Sequence, residues 1–518
     1  MRLALVCGDG LAVSGLLTIF RNVVEAELQN DQLELPIIAD LGFSWRPDKK
    51  HFFPDGGESV SYPHWMIVNN AVPLTEARSD VARELTEIRR AVARADSLDH
   101  AECQSLTQLI EKIAAPYEKY FTDWFEKHEV DWVCAVNMTL SDAVPVTLAL
   151  HRAAAKRWGP TRPGGVLFWD HDLFGSYAVI EEGVRVYPPQ PNRFTPLPGS
   201  HSCHLWAVVS QGLADEAGEY PTPLKARVTP NVLPAVKVGP LEVRHEEFAA
   251  RHSLEPGRPL LLVPVRVFRV KGVEIAVSLF ARIREICVAR NAPVPHLLVF
   301  GSLDEDPDYA RELLSHVRDL DVQDDVVFLD GVPLSSHKDA AGHWRLDEVD
   351  LLRLCRASNG AVLFTPSTRG VESVGLGPAL AAIAEVPCAI SDYACFEDIY
   401  GGSSNCVKIE GEEGMMEAAV EVLDLMAKQA SGDLAVQEAL RSQKQQVTAS
   451  FDPEPWRLLI REMAEAVASR RQLPTSQNKK RQEHMDGLRL SVGQGDTSGH
   501  RAVDTHGESQ TAMLGDPR

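Results

Sequence analysis

The chain has 518 residues, 44% of them hydrophobic, with 52 Lys plus Arg against 73 Asp plus Glu and a net charge of -21. That length exceeds one ordinary core, so two domains are expected. The acidity disfavours nucleic acid and anionic membrane as main partners, because both would repel it. Nine scattered cysteines without a C-x-x-C pair argue against a disulfide framework and a zinc site, and several of them, in apolar runs, read instead as buried thiols.

MRLALVCGDG opens with an apolar run too short for a signal peptide, and no run of 18 apolar residues follows. A cytoplasmic protein without integral membrane segments is expected. LALVCG reads as a buried strand, with a glycine-bearing turn and a helix from about Val13 after it. Arg78 to Ala95 and Ser105 to Lys127 are helical by pattern, DWVCAVNM a strand, Asp142 to Trp158 a helix, and GVLFWDHD and LWAVVS strands. Val/Ile/Leu runs alternating with amphipathic helices describe a parallel sheet covered on both faces.

After the Pro- and Gly-bearing linker VTPNVLPAVKVGP the rhythm restarts. PLLLVPVRV, HLLVFGS, DVVFLDGV and GAVLFTPS read as strands, separated by helices at Gly272 to Asn291, Tyr309 to Leu320 and Leu346 to Ser358. CAISD, VKIE and a helix from Gly414 to Lys428 close the series, and FDPEPWRLLIREMAEAVASR is a capped amphipathic helix. From about Gln472 the chain turns polar and reads as disordered. The predicted class is α/β, with two doubly wound, Rossmann-like domains facing each other across a cleft. Residues 1–237 form the first domain, completed by helix 452–470; residues 238–451 form the second, and 471–518 the tail.

Open parallel sheets bind ligands at the carboxyl ends of their strands. There PVRVFRVKGVE sets Arg266 and Lys271 around a turn that Gly272 keeps narrow, and two cations suit a diphosphate. In TPSTRGVESVGLGPAL, Gly375, Leu376 and Gly377 would offer backbone N–H groups at a helix start to the same phosphates. Glu372 just ahead of them would repel phosphate, so it suits sugar hydroxyls instead. A diphosphate cradle beside a hydroxyl acceptor describes a nucleotide-sugar site.

Taken in order, VTPNVL, RVFRVKGVE, HLLVFGS, DVVFLDGV, LLRLCRASNGAVLFTPS, ESVGLG, VPCAISD and DPEPW resemble the landmarks of glycosyltransferase family 4. The resemblance covers roughly residues 1–470 and is strongest from 228 to 392. It implies the GT-B fold and retaining transfer from a nucleoside-diphosphate sugar, with Arg266 and Lys271 on the diphosphate and Glu372 on the donor sugar. No metal or other cofactor is implied, since the leaving phosphate oxygen itself takes the acceptor's proton. Eight residues past Glu372, where the family places a second acid on the ribose, stands Leu380. The segment PLSSHKDAAGHW either reshapes the base pocket or is a surface excursion.

In the first half, Gly15 of GDGLAVSGLL falls on the family's donor-phosphate loop. In WDHDLFG, His171 matches the family's strand-end histidine near the reacting sugar, with a structural histidine as the bland alternative. Asp170 and Asp172 are expected as acceptor-side or orienting carboxylates; a metal-binding D-x-D reading fits a different, single-domain fold. Ser210 reads as a helix cap and Asn231 as a turn former. The long segments DLGFSWRPDKKHFFPDGG and AVIEEGVRVYPPQPNRF are candidates for the acceptor site. The implied acceptor is a small polar molecule, with natural-product, thiol and aminosugar pathways as candidate settings and polysaccharide extension as the other. A phosphorylase or pseudo-glycosyltransferase of the same fold, and a nucleotide-sugar-binding protein without catalysis, are the rival readings. Oligomeric state is not legible.

Overall fold

The computed structural model describes residues 1–46, 60–69, 78–140, 143–159, 162–181, 183–237, 239–370, 372–401 and 406–471. The polar tail after 471 lies outside the described residues. The chain divides into a body, Met1–Val467, and a terminal segment, Ala468–Arg518; within the body, the first unit is the part built on the first sheet and the second unit the part built on the second.

Within the body, the strands β1 (Leu3–Cys7), β2 (Ile37–Asp40), β3 (Met66–Val68), β4 (Trp132–Val136) and β5 (Gly165–Asp170) enter the first sheet. A small antiparallel hairpin, β6 (Ile180–Glu181) and β7 (Val184–Arg185), precedes β8 (His204–Val208) and β9 (Arg227–Val228). The sheet order is β3-β2-β1-β4-β5-β8-β9, parallel throughout. Its strands are almost wholly apolar because helices cover both faces. Those helices are α1 (Gly15–Glu27), α2 (Arg78–Ala93), α3 (His100–Lys127), α4 (Val144–Arg157) and α5 (Gln211–Gly218).

The second sheet repeats the design with β10 (Leu260–Val263), β11 (His296–Val299), β12 (Val326–Phe328), then a hairpin of β13 (His337–Lys338) and β14 (Trp344–Arg345). β15 (Ala361–Phe364), β16 (Cys388–Ile390) and β17 (Cys406–Lys408) complete it, in the order β12-β11-β10-β15-β16-β17, again all parallel. Around it stand α6 (Val243–Arg251), α7 (Val273–Ala289), α8 (Pro307–Asp319), α9 (Glu348–Ala357), α10 (Gly377–Ala384), α11 (Phe396–Tyr400) and α12 (Met415–Ala430). α13 (Leu434–Ser450) packs on α10, and α14 (Glu454–Arg471) returns to the first unit.

Each sheet has its own apolar core, and the cores are joined at the seam. Phe451, Trp456, Leu459, Ile460 and Met463 belong to the first core although they follow the whole second sheet in the chain. Trp456 meets Trp169 edge to face with ring centroids 4.5 Å apart, and the Trp132 indole N–H donates to the Met463 carbonyl at 3.1 Å. On the seam, the buried Arg21 of α1 donates to the Leu334 carbonyl at 2.7 Å, and Asn22 donates to Val232 in the linker at 2.9 Å. The extra loop before α9 therefore packs on α1. Its hairpin also meets α6, through ion pairs of Lys338 with Glu247 and of Asp339 with Arg251.

Candidate donor and acceptor site

Each sheet order reverses once, between β1 and β4 and between β10 and β15; Gly15 follows β1, Arg266 and Lys271 follow β10, Glu372 to Gly377 follow β15, and Asp170, His171 and Asp172 stand at the end of β5, the neighbour of β4. In the second unit the chain after β10 makes a single tight turn, Arg269–Lys271, before α7. The segment leaving β15 is sewn onto that turn. The Thr365 hydroxyl donates to the Gly272 carbonyl at 2.9 Å, the Ser367 N–H to the Val270 carbonyl at 3.1 Å, and the Ser367 hydroxyl to the Arg269 carbonyl at 2.6 Å. Gly272 has φ of 60°, and a Cβ there would stand 2.0 Å from the Thr365 oxygen. Glycine is required at this contact by both conformation and space.

The consequence is that Lys271 and Glu372, 101 residues apart in sequence, form an ion pair with Nζ–Oε1 at 2.6 Å. The Glu372 side chain is only 9% exposed. Behind it the Cys395 thiol donates to the Glu372 carbonyl at 3.1 Å, and the Tyr400 hydroxyl to the Gly375 carbonyl at 2.6 Å. Gly375, with φ of 69°, lies against the Tyr393 ring, and a Cβ on Gly377 would overlap Phe364 at 2.4 Å. Packing thus demands these glycines. The first N–H groups of α10 have no acceptor within their own helix, as at any helix start. Leu376 is the N-cap of α10 and Gly377 its first residue.

Arg266 is held differently. Its Nε donates to Glu305 Oε2 at 2.9 Å, and its guanidinium lies 4.4 Å from the centre of the Phe268 ring. Both predicted phosphate ligands therefore stand in ion pairs, each of which a diphosphate would have to replace or join. Leu380 is 3% exposed and belongs to the second apolar core. The position at which the sequence resemblance places a second acid thus packs inward in this structure.

In the first unit WDHDLFG separates into three environments. Asp170 closes β5 and is fully buried, accepting from the Thr139 N–H at 3.2 Å and the Trp206 indole at 2.8 Å. Burial pushes its carboxyl up to about 7 against its bonds to Thr139 and Trp206. His171 is also buried, its ring 4.6 Å from that of Trp169 and its Nε2 without a partner. Burial drives its pKa down to about 3, so the imidazole is neutral. Asp172 alone faces the second unit. Burial raises it to about 6, while Asn137 and Lys271 pull it down and Glu372 and Asp9 push it up. The carboxyl edges of the two sheets meet at this group. Asp170 and Asp172 take separate hydrogen-bond partners, Thr139 and Trp206 for the first and Asn137 for the second.

Gly15 begins α1, which Ser14 caps by accepting from the Leu17 N–H at 3.3 Å; a side chain at 15 would meet nothing within 4 Å. Neither packing nor backbone explains that glycine. Ser210 caps α5 through the Leu213 N–H at 3.4 Å. Of the first acceptor segment, residues 47–57 lie outside the described residues. Sequence reasoning missed Asn137, Glu305 and Asp9. Asp9 sits on the turn after β1 in a GDG triplet, the one signal that could have raised it.

A cavity of about 660 Å³ lies at the seam, between α1, the linker and α9. Much of its polar lining is spent on itself. Asp350 accepts from Arg244 at 2.7 Å, His245 at 3.1 Å and Ser336 at 2.6 Å, which reads as a structural brace.

No protein-family model matches this sequence, and no curated protein matches it. Among solved structures, the Anabaena protein HepE in complex with UDP-glucose superposes with a TM-score of 0.53 at 14% identity, over 90% of this chain and 100% of that one. A glycosyltransferase from Rickettsia africae gives 0.51 at 11% identity, over 91% and 99%. Sucrose-phosphate synthase from Thermosynechococcus elongatus gives 0.51 at 15%, over 90% and 99%. The chain has the GT-B fold of these proteins. Among the described residues no helix is long and apolar enough to cross a membrane.

Proposed function

We propose that this protein is a retaining glycosyltransferase of the family 4 type, moving a sugar from a nucleoside-diphosphate sugar to a small polar acceptor in the cytoplasm. The observation that carries the proposal is the Lys271–Glu372 pair at the start of α10, set opposite Asp172. Cation and helix start suit a diphosphate, and the adjoining carboxylate suits hydroxyls. The shared fold supports the donor class, since HepE carries UDP-glucose.

In this reading the bond from the anomeric carbon to the phosphate oxygen breaks as the acceptor oxygen attaches from the same face. The acceptor's proton passes to the leaving phosphate oxygen. Arg266 and Lys271 stabilise the charge that develops there, Glu372 orients the sugar, and Asp172 orients the acceptor. The scheme needs no metal ion. Natural-product pathways are the proposed setting.

A thermal-shift panel of nucleoside diphosphates and their sugars tests this, because ligands raise the melting point by mass action. One base should be selected, Arg266→Ala should abolish the shift, and Glu372→Ala should lose only the increment due to the sugar. No shift at millimolar nucleotide overturns the proposal. Leu380 favours one second reading, a protein that binds the nucleotide-sugar without turning it over. Binding without release of nucleoside diphosphate would establish it.

A further inference from the structure

We propose that Asn137 is a positioning residue that fixes the aim and the charge of Asp172; this rests on the reading of Asp172 as the acceptor-side carboxylate. Asn137 stands one residue beyond β4, at the switch point of the first sheet, with φ of 52°. Among non-glycine residues, asparagine tolerates that region best. Conformation alone would be served as well by glycine.

The side chain is used at both ends. Its Oδ1 accepts the His171 N–H at 2.7 Å, and its Nδ2 donates to Asp172 Oδ2 at 2.9 Å. The amide orientation is fixed by this pairing, because a backbone N–H requires the oxygen and a carboxylate requires the nitrogen. The Asn137 N–H also donates to the Trp169 carbonyl at 3.0 Å, so one residue ties the end of β4 to the backbone of Trp169 and His171 and to the side chain of Asp172 around the end of β5. Its backbone carbonyl oxygen would lie 3.0 Å from a Cβ on Gly8, a tight contact just past the end of β1. Aspartate would fit the backbone but would lose the donor and add a like charge beside Asp172.

Asp172 is exposed to opposing fields. Lys271 favours its ionised form, whereas Glu372, Asp9 and the nearby Asp170 disfavour it. The Asn137 amide adds the one hydrogen bond that Asp172 receives among the described residues, and it favours the carboxylate. Without it, Asp172 should hold its proton to higher pH and lose its fixed orientation.

The test is the titration of Asp172 by carbon NMR of aspartate-labelled full-length protein, assigned with Asp172→Asn, in the wild type and in Asn137→Gly and Asn137→Asp. Glycine satisfies the backbone, so that variant keeps the fold. The midpoint should rise by about one pH unit in Asn137→Gly and further in Asn137→Asp. With the donor that the thermal-shift panel selects, the acid limb of kcat/KM should move up by the same amount while the donor shift stays unchanged. An unmoved midpoint in both variants overturns the inference, even if donor binding and turnover are intact. If no nucleotide binds, the functional proposal falls, and a raised midpoint still upholds Asn137 as the group that sets the charge of Asp172.

Discussion

The two sheet edges that meet at the candidate site treat their acids in opposite ways. On the first, Asp40, Asp170 and Asp172 are surrounded by neutral donors: Tyr120 at 2.6 Å on Asp40, Trp206 on Asp170, Asn137 on Asp172. Burial lifts all three, to about 7, 7 and 6. On the second, Glu305 is paired with Arg266, Glu372 with Lys271 and Asp350 with Arg244. A buried carboxyl held by neutral donors and raised to about 6 or 7 carries a charge that depends on pH in the neutral range. The first edge is thus sensitive to protons, and the second is a set of ion pairs; in the proposed reading an incoming donor anion enters those of Arg266 and Lys271.

The largest effect should come from breaking the donor edge. Lys271→Ala removes the cation at the diphosphate and should lower kcat/KM by roughly 10²–10³-fold in a steady-state assay, with the fold intact. A loss under threefold would refute its role. Leu380 tests whether the second unit lacks an acid or uses the position for its core. Leu380→Ala should cost about 2–5 kcal/mol in urea unfolding, and Leu380→Glu more, with no gain in nucleotide affinity. Tighter nucleotide binding by Leu380→Glu would mean that this position faces the ribose.

Gly272→Ala strains the turn that carries Lys271 to Glu372. It should destabilise by about 1–3 kcal/mol and shrink the donor-induced thermal shift. A stable variant with a full shift would show that the turn has another way to close. The smallest effect concerns pH. The folded chain holds a proton on Asp170 up to about 7, where an ordinary aspartate has released it by about 4. This group's contribution to stability therefore falls as pH rises through that window. Asp170→Asn should be destabilised relative to wild type, with the deficit narrowing by about 1–2 kcal/mol between pH 5 and pH 7.5. An equal deficit at both pH values would place the buried charge elsewhere.

The sheets were legible because both faces of each are covered, which leaves strands of nearly unbroken Val, Leu, Ile and Ala. The pairing of Lys271 with Glu372 could not be read, although each residue was named, because it depends on a contact 101 residues apart. α13 was missed: it buries only Leu440, Gln443 and Val447 in 17 residues, too thin a stripe for the pattern to show. α3 begins at His100, earlier than its apolar rhythm suggests, because Asp99 and Glu102 form a reciprocal capping box. Asp170 and Asp172 would share a face if the strand continued, but β5 ends at Asp170 and the alternation ends with it. Asn137 gave no sign of its role, since its partners arrive 34 and 35 residues later.

The return of α14 to the first core has a consequence for biosynthesis. Trp456, Leu459, Ile460 and Met463 close a surface that β4 and β5 present, and they leave the ribosome only after the whole second sheet. The first unit therefore emerges with its Trp132 and Trp169 side uncovered and must wait through the synthesis of the whole second unit. Amino-terminal domains usually fold first. Here the half made first is finished last, and a chain truncated before 452 would lack the cover for its own beginning.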